Sequence, residues 1–146
     1  MPYSFEDFQI GSTFTSSGRT VTEADIVFFS YLSGEWSPLH TDIEYASKTQ
    51  FKGRIAQGML ILAIASGLIF RTGVLDPPYL KALYSIEEMR FRRPVMIGDT
   101  LRVRLEVSSK SDRGSDGVVG FKMQVVNQRD EIVVEGTINL LYAKKH

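Results

Sequence analysis

Two periodicities divide the chain. From Gly58 to Phe70 there is no charged residue, and Met59, Leu60, Ile61, Leu62, Ile64, Leu68, Ile69 and Phe70 leave no polar face. Read as a helix, this run is apolar all round, which predicts a buried helix rather than one laid on a surface. It is too short to span a bilayer, which takes about 20 residues. Arg71 closes it and Gly73 supplies a stop. After residue 74 the period changes to two. Tyr84, Ile86, Glu88, Arg90 and Arg92 fall on one side of a strand from Leu83 to Arg92, with Met89 and Phe91 on the other. Leu101, Val103, Leu105 and Val107 alternate with Arg102, Arg104 and Glu106, and Val119, Phe121, Met123 and Val125 with Gly120, Lys122 and Gln124. A last strand holds Ile132, Val134, Ile138, Leu140 and Tyr142. Alternation of this kind marks a sheet with one buried face. Gly98-Asp99, the stretch Asp112 to Gly117 and the stretch Asn127 to Asp130 carry turn chemistry between the runs. The second half therefore reads as an antiparallel meander of four or five strands, curled around the apolar helix. The fold class is α+β.

The first half is less regular. A short strand is expected near 12–20. Thr22 and Asp25 form a capping-box-like pair that opens a helix, Ile26, Phe29, Tyr31 and Leu32 give it an apolar side, and Gly34 ends it. Pro38 excludes regular helix from the segment 35–41, and Asp42 caps a second short helix from Ile43 to about Thr49. A loop over 50–57 then leads to Gly58. There the first N–H groups of the apolar helix are free, and the positive end of its dipole suits an oxygen that gains negative charge.

Composition narrows the chemistry. The 146 residues are expected to form one domain, residues 1–146, with formal net charge zero, which argues against a general nucleic-acid binder. There is no cysteine, so disulfides, thiolate catalysis and cysteine-bound metals are excluded. The start, Met1-Pro-Tyr-Ser-Phe-Glu-Asp, is acidic and lacks an apolar stretch, and a cytoplasmic protein is expected. Only two histidines occur. His146 is the last residue and is expected to be poorly ordered, so a histidine acid or base must be His40. Glu35 lies five residues before it on a segment that Pro38 stiffens, which is useful where two side chains must meet at one water. The bland alternative is a hydrogen-bonding histidine beside a solvated carboxylate. A metal held by Glu35, His40 and Asp42 is also conceivable, but Asp42 is explained by capping and no further ligand is evident; no metal is expected. Arg54, Arg90, Arg92 and Arg93 are candidates for phosphate contact, whereas Arg102 and Arg104 read as a solvated strand face.

Glu35-x-Ser-Pro-Leu-His40-x-Asp42, then Ala46, Phe51 and Arg54-Ile-Ala-Gln-Gly-Met-Leu60, closely resembles the MaoC-like (R)-specific enoyl-CoA hydratases. Phe91-Arg-Arg-Pro-Val-x-x-Gly-Asp-Thr-Leu101 is similar to the same family. The resemblance implies the hotdog fold and a homodimer or higher homo-oligomer with substrate near the subunit interface. It implies reversible addition of water to a trans-2-enoyl thioester of CoA or acyl-carrier protein, giving a 3-hydroxyacyl thioester. The CoA thioester is then the substrate, and no cofactor, nucleic acid or membrane is involved. By the family pattern, Glu35 and His40 hold the attacking water, Ser37 supports them and the Gly58 N–H binds the thioester carbonyl. Arg54, Gln57, Ser66 and Arg90 are expected on the substrate side, with Ser66 and Gly67 shaping an acyl pocket. Three positions depart from the pattern: Glu35 replaces Asp, Ser37 replaces Asn, and Gln57 stands where a His is frequent. Two alternatives follow. One is a hotdog thioesterase that attacks the thioester carbonyl. The other is an acyl-thioester-binding protein without turnover, for which the altered acid is the motive.

Overall fold

A computed structural model describes residues 1–146. Six strands form one antiparallel arrangement: β1 (Thr13–Thr15), β2 (Arg19–Thr20), β3 (Leu80–Phe91), β4 (Thr100–Asp112), β5 (Asp116–Val126) and β6 (Ile132–Ala143). The spatial order is β1-β4-β5-β6-β3, with β2 paired to the first residues of β4, Thr100 and Leu101. The helices are α1 (Glu23–Ser33), α2 (Pro38–Thr41), α3 (Ile43–Ala46) and α4 (Gly58–Phe70). The meander of β4, β5 and β6 is the one the period-two pattern predicts. The strand expected near 12–20 is two short strands instead, because Gly18 breaks the run, and the sheet is one strand larger than expected.

Leu60, Ile61, Ile64, Ala65, Leu68 and Ile69 of α4 pack in one core with Leu101, Val103 and Leu105 of β4 and Phe121, Met123 and Val125 of β5. Burying such side chains is worth about 1.5–3 kcal/mol each, and this contact is the main reason the sheet wraps the helix. The expectation of a helix enclosed all round is corrected. Met59, Ala63, Ser66, Gly67 and Phe70 lie on an exposed stripe of α4, with Met59 at 60% and Phe70 at 58% exposure. An apolar composition says that a face seeks cover, not that this chain supplies it. No helix is long and apolar enough to cross a membrane.

α1 opens as predicted: the Asp25 N–H donates to the Thr22 hydroxyl (3.2 Å) and the Thr22 N–H to the Asp25 carboxylate (2.9 Å). The Arg19 guanidinium binds both Asp25 oxygens at 2.7 and 2.8 Å and pulls the carboxyl down to about 2. Gly34 ends the helix with φ +80°, where a side chain would be strained. Of the apolar side, Ile26 and Phe29 face inward, but Tyr31 and Leu32 are 75% exposed. β3 starts earlier than the alternation suggests and ends at Phe91. Its register against β6 shifts three times, and Glu88 sits at φ +51° beside the last shift, so the predicted two-sided pattern does not run unbroken.

Candidate active site

Residues 35–41 contain a short helix after all. Pro38 is its first residue, where a missing N–H costs nothing, and the Ser37 hydroxyl accepts from the Leu39 N–H at 3.4 Å. Ser37 thus caps α2. This single turn places His40 inward: its side chain is 9% exposed, whereas that of Glu35 is 46% exposed. The His40 Nδ1 lies 2.7 Å from the Ile55 carbonyl oxygen. A carbonyl only accepts, so Nδ1 carries the proton and donates. In the neutral ring, Nε2 then keeps its lone pair and lies 3.4 Å from Glu35 Oε1. A bare lone pair and a carboxylate oxygen do not bond each other; a proton on Nε2 completes the contact, since 3.4 Å leaves no room for a water between the two. The pair can therefore pass one proton, and a water would be held beside it rather than between.

Opposite, α4 begins. The Gly58 N–H has no backbone acceptor and stands at the positive end of a helix that carries no acidic residue in its first turn. A Cβ on Gly58 would lie 3.1 Å from Phe91 Cε1, so glycine keeps the space between helix and ring open. His40, Gly58, Ile61 and Phe91 line one cavity of about 300 Å³, with Arg92 and Arg93 on its wall. Arg92 pairs with Glu135 at 3.1 Å and Arg93 with Glu131 at 3.3 Å, each about half exposed, where such pairs are weak. A second cavity, about 210 Å³, lies between α4 and the β3–β6 edge; eleven of its twelve lining residues are hydrophobic, and Ser66 is the exception. Ile61 and Phe91 of the first cavity neighbour Leu62 and Met89 of the second along the same two elements, so the two follow one another along α4.

The structure thus brings Glu35 to His40, sets His40 and Gly58 on one cavity, and places Ser66 on the adjoining one. Three residues expected on the substrate side lie elsewhere. Gln57 is completely buried, and its Nε2 donates to the Ile26 carbonyl and the Ser30 hydroxyl, both at 3.0 Å. The Arg54 guanidinium donates to the His40 carbonyl at 2.7 Å and pairs with Glu23. Arg90 is exposed on β3 and lines neither cavity. Asp42 caps α3 through the Tyr45 N–H at 3.1 Å, and no group of three His, Asp or Glu side chains comes together. Sequence reasoning missed the Ile55 carbonyl, for which a main-chain atom leaves no signal. It also gave no role to Phe91, although the ring stands in the Phe-Arg-Arg-Pro motif.

Comparison with known proteins bears on the family and the fold. Residues 7–131 match the model of the MaoC-like domain. Protein MaoC of Klebsiella aerogenes is 39% identical over 107 residues, which are 73% of this chain but 31% of that protein. The chain therefore spans under a third of that relative. The (R)-specific enoyl-CoA hydratase of Rhodospirillum rubrum is 36% identical over 104 residues, 71% of this chain and 69% of the hydratase. Among solved structures, the monoamine oxidase regulatory protein of Archaeoglobus fulgidus superposes with a TM-score of 0.92 at 43% identity, covering 99% of this chain and 97% of that one. The architecture is the hotdog fold.

Proposed function

Because the chain belongs to the MaoC-like domain family, we propose that it adds water reversibly to a trans-2-enoyl thioester of CoA or acyl-carrier protein, as a hydratase or dehydratase. The observation that carries the reading is His40, its tautomer set by Ile55 and its Nε2 3.4 Å from Glu35, lining the same cavity as Gly58.

In this reading the water oxygen bonds to Cβ of the enoyl group while the pair takes one of its protons. The electron pair of the double bond moves onto the thioester oxygen as an enolate. Gly58 and the start of α4 stabilise that charge; one such donor is worth about 3–4 kcal/mol. The pair then delivers a proton to Cα, so one water is added and the protein ends as it began. The adjoining apolar cavity suits an aliphatic acyl chain, and Ser66 stands on its wall. Arg92 and Arg93 give the catalytic cavity a cationic side toward which a phosphate-bearing carrier is drawn. The exposed stripe on α4 and the exposed Leu83, Tyr84 and Ile86 of edge strand β3 support a second copy as their cover, hence a homodimer.

The test is incubation with trans-2-enoyl-CoA of several chain lengths, following the conjugated absorbance and free thiol in parallel. Loss of the band without thiol is the expected result. Release of thiol would make the protein a thioesterase. Neither signal, with thermal stabilisation by the thioester, would make it a binding protein.

A further inference from the structure

We infer that Arg54 and Gln57 are positioning residues, which fasten the His40 helix and the Gly58 N–H to α1 and so set the distance across the active site. The inference rests on the hydratase reading above. α2 has four residues and His40 is its only buried one, so it cannot hold itself in place. What holds it is the segment Arg54 to Gly58. Arg54 Nε donates to the His40 carbonyl at 2.7 Å, the Ile55 N–H donates to the Leu39 carbonyl at 3.4 Å, and the Ile55 carbonyl takes the His40 Nδ1–H at 2.7 Å. The other end of the Arg54 side chain, 13% exposed, pairs with Glu23 in the first turn of α1. Three residues on, the Gln57 amide binds Ile26 and Ser30 of the same helix, which ends at Ser33, two residues before Glu35. The Ala56 N–H anchors the segment to Val95 at 2.8 Å. Five consecutive residues therefore hold His40 and the helix that leads to Glu35, and carry the oxyanion donor themselves.

Two details separate positioning from substrate contact and from plain packing. The Arg54 side chain is 13% exposed and lines neither cavity, and its Nε and Nη1 are already engaged by the His40 carbonyl and the Glu23 carboxylate. Gln57 keeps its Oε1 buried with no donor, a costly acceptor that methionine of similar volume would not bring. Packing alone does not call for an amide there, whereas fastening α1 does.

The experiment compares wild type, Arg54→Met, Arg54→Lys and Gln57→Met on a trans-2-enoyl-CoA and on the matching N-acetylcysteamine thioester, which has no phosphate. Thermal melts and ¹⁵N NMR of the His40 ring accompany the kinetics. A misplacement of about 1 Å costs on the order of a hundredfold, so Arg54→Met is expected to lower kcat about 10–100-fold on both thioesters with KM held within about twofold. Arg54→Lys recovers part of the loss. Gln57→Met lowers kcat about tenfold while its Tm is equal to or above wild type. The His40 ring is expected as one Nδ1–H tautomer in wild type and as a mixture in Arg54→Met. A rise of KM confined to the CoA thioester would overturn the inference and make Arg54 a phosphate ligand. A fall in Tm with kcat unchanged would make both residues merely structural. If wild type hydrates neither thioester, the hydratase reading fails by itself, and a single fixed His40 tautomer in Arg54→Met then overturns the positioning role independently.

Discussion

The β4–β5–β6 ladder and the segment from Gly34 to Gly58 are held by different means. In the ladder, β4 and β5 pair from Arg102 opposite Val126 to Asp112 opposite Gly117 with one irregularity, and Val103, Leu105, Val107, Phe121, Met123 and Val125 are at most 2% exposed. Its strength comes from repeated burial and continuous main-chain bonding. The segment has two four-residue helices and few buried apolar side chains. It is held by individual bonds from side chains to main chain: Ser37 to Leu39, Asp42 to Tyr45, Arg54 to His40 and His40 to Ile55. The difference teaches that the bulk of the packing and the candidate site are carried by separate parts of the sequence. The ladder tolerates no loss of volume, and the segment tolerates no loss of geometry.

Four substitutions break or sharpen that contrast. His40→Ala is expected to cost about 10³-fold or more in hydration rate, since general acid–base groups contribute about 10²–10⁴-fold; an enoyl-CoA assay checks it, and a well-preserved denaturation midpoint would place the loss in chemistry. Phe121→Ala is its mirror in the ladder. It should destabilise the fold by about 3–5 kcal/mol in urea or guanidinium unfolding, while the molecules still folded keep the wild-type kcat. Gly58→Ala sits at the boundary between the two. A methyl directed at Phe91 narrows the cavity, so turnover should fall about 10–100-fold. Alanine in place of glycine at a helix start should leave stability within about 1 kcal/mol. Smallest is Asp25→Asn, which keeps an acceptor for the Thr22 N–H but breaks the bidentate pair with Arg19, and costs about 1 kcal/mol at neutral pH.

Asp25 also makes a statement about pH. Its folded value is lowered to about 2 by Arg19 and by the Thr22 bonds, below the ordinary value near 3.9 of an unfolded chain. The stabilisation is therefore complete above about pH 4 and is lost as pH falls toward 2. Wild type and Asp25→Asn should converge in stability over that window, and urea titrations at a series of pH values would reveal it. A gap that stays constant from pH 6 to pH 2 would exclude the Arg19 pair as its origin.

How much was legible follows the same division. The strands of the meander can be read from alternation because each inward position repeats one physical demand. The opening and end of α1 can be read from Thr22, Asp25 and Gly34, whose chemistry is local. Glu35, His40 and Gly58 could be named as candidates because few residue types suit acid–base or oxyanion work, and scarcity singles out one histidine. Three things could not be read. Pro38 is a helix breaker in general and a good first residue in particular, and only the chain path decides between them. The stripe of Met59 and Phe70 looks like core because hydrophobicity does not name its partner. Arg54 and Gln57 look like ligand contacts because a cation and an amide near a site serve equally to bind a guest or to brace the wall, and their partners on α1 lie some thirty residues away.

The partner of His40 Nδ1 is a carbonyl, not a side chain. Any amino acid at position 55 provides the same acceptor, so the tautomer is shielded from most point mutations there. Valine or leucine in its place leaves the imidazole as it is. What can unseat it is a change of backbone course: an insertion between residues 50 and 57, or a proline that redirects the chain. The tautomer of His40 is thus inherited through loop length rather than through residue identity, and drift in this protein can rewrite the lettering of the loop long before it alters its count.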